Sequence, residues 1–233
     1  MRPPFAALLL DLDGTLLRAG CAGRRAFERA LGDQVGPVDG QLGALRFDGM
    51  TDRGIVRESL ALLGRPFDEG HCAAILGRYV EHLRLEIAAP GPRVLPGVEA
   101  LLRALAARGA RYGLCTGNVV AGARVKLGRA GLDGYFDWSP AGLHGFAEDG
   151  EAREHIVGTA VGRVAAALGR SVSPAEVLIV GDTPRDVAAA HAVGCPALCV
   201  TTGNFDEAAL RAAGADAVFD TLEAPGALAL LLA

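Results

Sequence analysis

One lysine, Lys126, stands among the 23 basic residues of this 233-residue chain, and no basic run appears anywhere in it. Acidic residues number 27, so the formal net charge is -4 and the electrostatic footprint of a nucleic-acid binder is missing. The cysteines number five, with no C-x-x-C pair and no histidine at zinc-finger spacing, which argues against a disulfide framework or a structural zinc module. Cys115, Cys195 and Cys199 fall in or beside strand-like apolar runs, where a free thiol serves as a small core side chain. Long hydrophobic runs are also lacking: Pro225 to Ala233 is among the longest, and it is too short to span a bilayer. Met1-Arg2-Pro3-Pro4 leads straight into a strand-like run without the h-region of a signal peptide, so a soluble cytoplasmic protein is the expectation. No internal repeat or low-complexity linker is evident, and no G-x-G-x-x-G follows the first apolar run, which disfavours a dinucleotide oxidoreductase.

What is present is a 51% hydrophobic chain, enough for a large core, arranged in two styles. Phe5 to Leu10 has the length and hydrophobicity of a strand buried on both faces. From Arg18 to about Arg93 strand-like runs vanish, and helix-period segments follow at 22–31, 52–63 and 68–88, with Asp52 a candidate cap for the second. After Pro90-Gly91-Pro92 strands and helices alternate: helices at 96–107, 119–130, 154–168, 184–193 and 206–213, strands at 110–115, 177–180, 197–200 and 217–219, and a short strand candidate at Tyr135 to Trp138. This alternation predicts an α/β fold, a doubly wound parallel sheet, with a core of residues 1–17 and 93–233 and an all-helical cap of residues 18–92.

Chemistry-bearing residues fall where such strands end. Asp11 and Asp13 close the first strand at the edge where open α/β sheets bind ligands, and two carboxylates so close call for a cation or a proton between them. Thr116, Gly117 and Asn118 sit between a strand and a helix, where a hydroxyl and unpaired backbone N–H groups suit a phosphate. Asp182 and Asp186 follow the clearest internal strand and can converge across one helical turn, with Asp182 facing Asp11. Acids at these strand ends, with a backbone carbonyl, water and a phosphate oxygen, form the hard-ligand set that octahedral Mg²⁺ requires. Two residues could neutralise the charge. Arg153 opens a helix that can face the strand ends, whereas Lys126 lies about 10 Å along its own helix but has a long stem. His155, nearby, reads as a surface residue.

Asp11-Leu12-Asp13-Gly14-Thr15 after a hydrophobic strand resembles the first motif of the haloacid dehalogenase superfamily of phosphohydrolases. Thr116, the basic residue at 153 or 126, and Gly181-Asp182-Thr183-Pro184-Arg185-Asp186 resemble the other three motifs in order, with a cap of the phosphoglycolate phosphatase type. The chain departs from the family pattern at the third motif, which often carries lysine. The resemblance implies an Mg²⁺-dependent phosphatase acting on a small phosphorylated metabolite. Asp11 would be the nucleophile that forms an aspartyl-phosphate, Asp13 the acid and base, and Thr116 with the basic residue the charge stabilisers. It also implies metal ligands among Asp11, Asp13, Asp182 and Asp186, phosphate contacts at Thr116, Gly117 and Asn118, and, because cap loops carry specificity in that superfamily, a reach of Arg46 to Asp52 down to a substrate. A phosphomutase would keep the same four stations. A signalling phospho-acceptor would be shorter and lack the insertion, and a dehalogenase would not need Asp13. Oligomeric state is open.

Overall fold

The computed structural model describes residues 5–38 and 40–232. Met1 to Pro4, which precede the first strand, and Ala233, which ends the last apolar stretch, lie outside the described residues, as does Asp39.

The first strand, β1 (Ala7–Leu10), is buried along its whole length. Its side chains alternate between two cores: Leu8 and Leu10 enter one, Ala7 and Leu9 the other. A strand so sandwiched can afford no polar residue until it ends, and Asp11 follows directly.

Next come β2 (Leu17–Arg18) and three helices, α1 (Ala22–Val35), α2 (Asp52–Leu62) and α3 (Glu69–Glu86). The return segment β3 (Arg93–Val94) pairs antiparallel with β2, so the entry and exit of the helical insertion are hydrogen-bonded to each other. The insertion has its own core, in which Phe27 of α1 stacks on Tyr79 of α3 with ring centroids 3.8 Å apart, and that core extends to Val119 and Ala147 beneath it. The helices therefore sit as a cap on the ends of the sheet.

The remainder alternates: α4 (Val98–Ala107), β4 (Tyr112–Leu114), α5 (Val120–Ala130), α6 (Arg153–Leu168), β5 (Val177–Gly181), α7 (Pro184–Val193), β6 (Ala197–Val200), α8 (Glu207–Ala212), β7 (Ala217–Phe219) and α9 (Pro225–Leu231). The five-stranded sheet has the order β4-β1-β5-β6-β7, and every pair in it is parallel. Helices α4, α5 and α9 supply one core face; α6, α7 and α8 supply the other. Because β4 lies on one side of β1 and β5 on the other, the chain changes direction of sheet growth at β1. The crevice of a doubly wound sheet opens at such a reversal, here beside Asp11.

The structure departs from the sequence reading in three places. Tyr135 to Trp138 do not form a strand: Tyr135 ends a 3₁₀ turn over Asp133–Tyr135, and Phe136 and Trp138 pack with His144 and Phe146. The open edge of β4 is met instead by residues 144 and 145, where Leu114 N–H donates to His144 Nδ1 (3.0 Å) and Gly145 N–H to Leu114 O (2.8 Å). The β2–β3 pair has no signal in the sequence, because two-residue strands are too short to show alternation. Lastly, Thr51 rather than Asp52 caps α2, its hydroxyl accepting from Gly54 N–H (3.0 Å). All five cysteines are free thiols, four of them buried. Among the described residues no helix is long and apolar enough to cross a membrane.

Candidate active site

Asp11 leaves β1 with its N–H donating to Val180 O (2.8 Å), which continues the pairing with β5 one residue beyond the strand. Its carboxylate is buried and bonded to Arg153, with Nη2 2.7 Å from Asp11 Oδ1. Arg153 is the first residue of α6, and its other contacts are Asp186 Oδ1 and Gly49 O (3.3 Å). A helix-start side chain thus reaches the strand ends, where one guanidinium serves two buried carboxylates. Burial opposes the charge of Arg153, but Asp186 and Asp11 outweigh it and hold the guanidinium more firmly protonated than usual.

Asp182 follows β5 and comes close to Asp11. Its Oδ1 accepts from the Thr15 hydroxyl (3.1 Å). Gly14, at φ 93°, makes the approach possible, because a Cβ there would fall on the Asp182 carboxylate. Asp186 sits one turn into α7 and closes a capping box: its Oδ2 accepts from Thr183 N–H (3.0 Å) and the Thr183 hydroxyl (2.8 Å). Among the described residues, Asp11, Asp182 and Asp186 form a buried acidic group with one oxygen from each within 4.8 Å of the others.

Arg153 pairs with two of these three carboxylates, Asp11 and Asp186, and not with Asp182. Burial, chiefly, pushes the Asp11 carboxyl up to about 7 against the pull of Arg153, and burial with the fields of Asp11 and Asp186 raises Asp182 well above the carboxylate range. Hard oxygen donors that are short of positive charge fit a small divalent cation such as Mg²⁺.

The Asp13 carboxylate is not in that group. It turns towards α5, where Lys126 Nζ lies 2.5 Å from its Oδ2 and Asn118 Nδ2 donates to the same oxygen (2.9 Å). Lys126 also donates to Asn118 Oδ1 (2.6 Å), and Asn118 Nδ2 to Thr116 Oγ1 (2.8 Å). The side chain of Asp13 therefore belongs to a second network, bonded to Lys126 and Asn118 rather than grouped with Asp11, Asp182 and Asp186. Arg153 and Lys126, alternatives in the sequence, are both drawn in, Arg153 to Asp11 and Asp186 and Lys126 to Asp13. His155 is exposed on α6, as expected.

A cavity of about 480 Å³ joins the two networks and is lined on the cap side by Arg18, Arg24, Arg46, Phe47 and Tyr79. Arg24 stacks 4.1 Å over the Phe47 ring and donates to Leu45 O. Residues 46 to 52 do line the cavity, and Asp48 accepts from Asn204 (2.5 Å). The sequence gives no role to Thr15, which lies inside a quoted motif, and gives the side chain of Asp52 only the cap of α2, whereas its partner is Val119 N–H, 67 positions away.

The family model described as "Hydrolase: haloacid dehalogenase-like hydrolase" matches residues 5–194. A phosphoglycolate phosphatase of Rhodospirillum rubrum is 33% identical over 226 residues, covering 94% of this chain and 89% of the relative. A plasmid-borne phosphoglycolate phosphatase of Cupriavidus necator is 33% identical over 235 residues, covering 97% and 93%. Among solved structures, a mutant of CbbY from Rhodobacter sphaeroides in complex with xylulose-(1,5)bisphosphate superposes with a TM-score of 0.75 at 18% identity, covering 97% of this chain and 99% of that one.

Proposed function

Because this chain belongs to the haloacid dehalogenase-like hydrolase family, we propose that it hydrolyses a small phosphomonoester by attack of Asp11 on phosphorus, assisted by Mg²⁺. The enzyme is a phosphoric monoester hydrolase. One observation carries the reading: Asp11 stands at the reversal point of the sheet, 2.7 Å from the Arg153 guanidinium and grouped with Asp182 and Asp186.

The Asp11 carboxylate attacks phosphorus, and the ester P–O bond breaks with its electron pair passing to the leaving oxygen, which takes a proton from Asp13. Asp13, now a carboxylate, removes a proton from a water whose oxygen attacks the same phosphorus. The P–O bond to Asp11 breaks and phosphate leaves. Lys126 and Asn118 hold Asp13 in one orientation, and Asn118 fixes Thr116 for a phosphoryl oxygen. Arg153 offsets charge on the Asp11 side. Asp11 and Asp182, with Asp186 beside them, would hold Mg²⁺, which when bound supplies Lewis-acid stabilisation of the phosphoryl oxygens.

The cap arginines favour a substrate with a second anionic group: Arg18, Arg24 and Arg46 line the cavity, and their three positive charges exceed what their partners Glu28 and Asp48 offset. Phosphoglycolate, named for the curated relatives, and the bisphosphate bound to the CbbY variant both fit that description. We place the chain in the cytoplasm, where such metabolites are found, with residues 18–92 as its cap and 1–17 with 93–233 as its core.

The test is phosphate release from a panel of phosphometabolites with Mg²⁺. Turnover should be greatest on doubly anionic monoesters, vanish in Asp11→Asn, and fall by about 10²–10⁴-fold in Asp13→Ala, the usual range for general acid-base catalysis. No release from any ester by the wild type would overturn the proposal.

A further inference from the structure

The first residue of α2 carries a buried carboxylate that the chemistry above does not use. Asp52 is 4% exposed, and its side chain crosses from the helical insertion to the core, where Oδ2 accepts from Val119 N–H (2.8 Å). Its backbone N–H donates to Gly117 O (2.7 Å), so one residue grips both ends of the turn 117–119.

That turn needs the grip. Val119 is the N-cap of α5, and its valine side chain can accept no hydrogen bond from the helix amides. Val120 N–H finds Glu148, within the core, at 2.9 Å; Val119 N–H finds Asp52. The fit is close, since a Cβ on Gly117 would stand 2.5 Å from Met50 O and 2.8 Å from Thr51 Cα. The neighbouring Thr51 hydroxyl donates to Glu151 O (3.0 Å), and Arg57 pairs with the Glu151 carboxylate (2.6 and 2.9 Å). Asp52 is thus the buried centre of a seam whose outer bonds are half exposed. Beneath it hang Thr116, Asn118 and, two turns along α5, Lys126.

We infer that Asp52 is a positioning residue: supplied by the insertion, it caps α5 of the core, and so orders the Thr116–Asn118 turn and Lys126 only when the insertion is seated. The inference rests on the proposed roles of Thr116, Asn118 and Asp13. Its physical core is a helix end completed from another part of the chain, which couples closure over the substrate to assembly of the groups around it.

The experiment compares wild type, Asp52→Ala and Asp52→Asn in steady-state phosphate release and in amide hydrogen exchange of residues 116–123. Loss of the acceptor in Asp52→Ala should speed exchange in that segment and lower kcat at least tenfold, with KM changing less. Asp52→Asn, whose side-chain oxygen still accepts, should restore both. Unchanged exchange in Asp52→Ala, unchanged kcat, or an Asn variant as impaired as the Ala variant would each overturn the inference. If Asp52→Ala fails to fold, Asp52→Glu, with its oxygens one methylene further out, must show the same two losses; wild-type values there overturn it. A wild type silent on every ester, with exchange still raised in Asp52→Ala, upholds the clamp and sinks the phosphatase reading instead.

Discussion

Asp52 also has a thermodynamic signature, set by its neighbours. Burial pushes its carboxyl up to about 7 from 3.8; Lys126 and the Val119 N–H oppose this, Asp13 and Glu148 add to it, and the Tyr79 hydroxyl also feels its charge. Between about pH 4 and 7 the folded chain keeps a proton there that the unfolded chain has lost. The contribution of this group to stability is therefore complete below about pH 4 and lost as pH rises through 7, by up to about 1.4 kcal/mol per pH unit. Asn titrates nowhere in that range. Asp52→Asn should gain stability relative to wild type as pH rises from 4.5 to 7.5 in urea melts, then hold a constant difference. A difference independent of pH would show that Asp52 ionises normally.

At the level of single side chains, legibility followed sequence distance. Asp11 and Asp182 could be found because each follows a buried apolar strand, and Asp13 and Asp186 because they lie two and four residues beyond those acids. The pairing of Lys126 with Asp13 could not, because two turns of helix place Nζ at a position that spacing alone does not fix. Asp52 looked like an ordinary cap, since its neighbour Thr51 offers the same chemistry and only the approach of the core decides which of them caps α2.

Among elements, α5 and the turn before it link the two halves of the site. Gly117 is the tightest point of that seam. Gly117→Ala drives a methyl group into the Met50 carbonyl, and overpacking of this kind costs about 1–3 kcal/mol. Since the strain falls on the seating of the cap, kcat/KM should drop roughly tenfold or more while Tm falls by only a few degrees. Retention of full kcat/KM would show that the seam tolerates displacement. The long elements were readable: β1 and β5 from continuous apolar runs, α1 to α3 from helix periodicity. The short ones were not. β2 and β3 are two residues each, and the edge of β4 is closed by His144 and Gly145, a pairing with no local signal.

For the molecule as a whole, the parallel sheet reverses its growth at β1, and the cap returns over that point through the β2–β3 ribbon. The alternation of strands and helices gave this architecture, because each unit buries two faces of a parallel sheet. Strand order could not be read in the same way, as it depends on which neighbour each strand finds. Three acids and one guanidinium at the reversal leave the cation-free protein with uncompensated buried carboxylates. Mg²⁺ should therefore raise Tm, by the equivalent of about 2.7 kcal/mol at a hundredfold excess over Kd, and EDTA should reverse the rise. Asp182→Asn should remove most of the Mg²⁺ effect. A Tm indifferent to Mg²⁺ in the wild type would contradict a divalent site.

The identity of the nucleophile is best tested by trapping. Enzyme quenched in acid during turnover of its best ester and reduced with borohydride converts an aspartyl-phosphate to homoserine, which peptide mass spectrometry can locate. Homoserine should appear at position 11 and nowhere else, and only when substrate was present. An active enzyme that leaves Asp11 unmodified, or carries the mark on another acid, would contradict attack by Asp11.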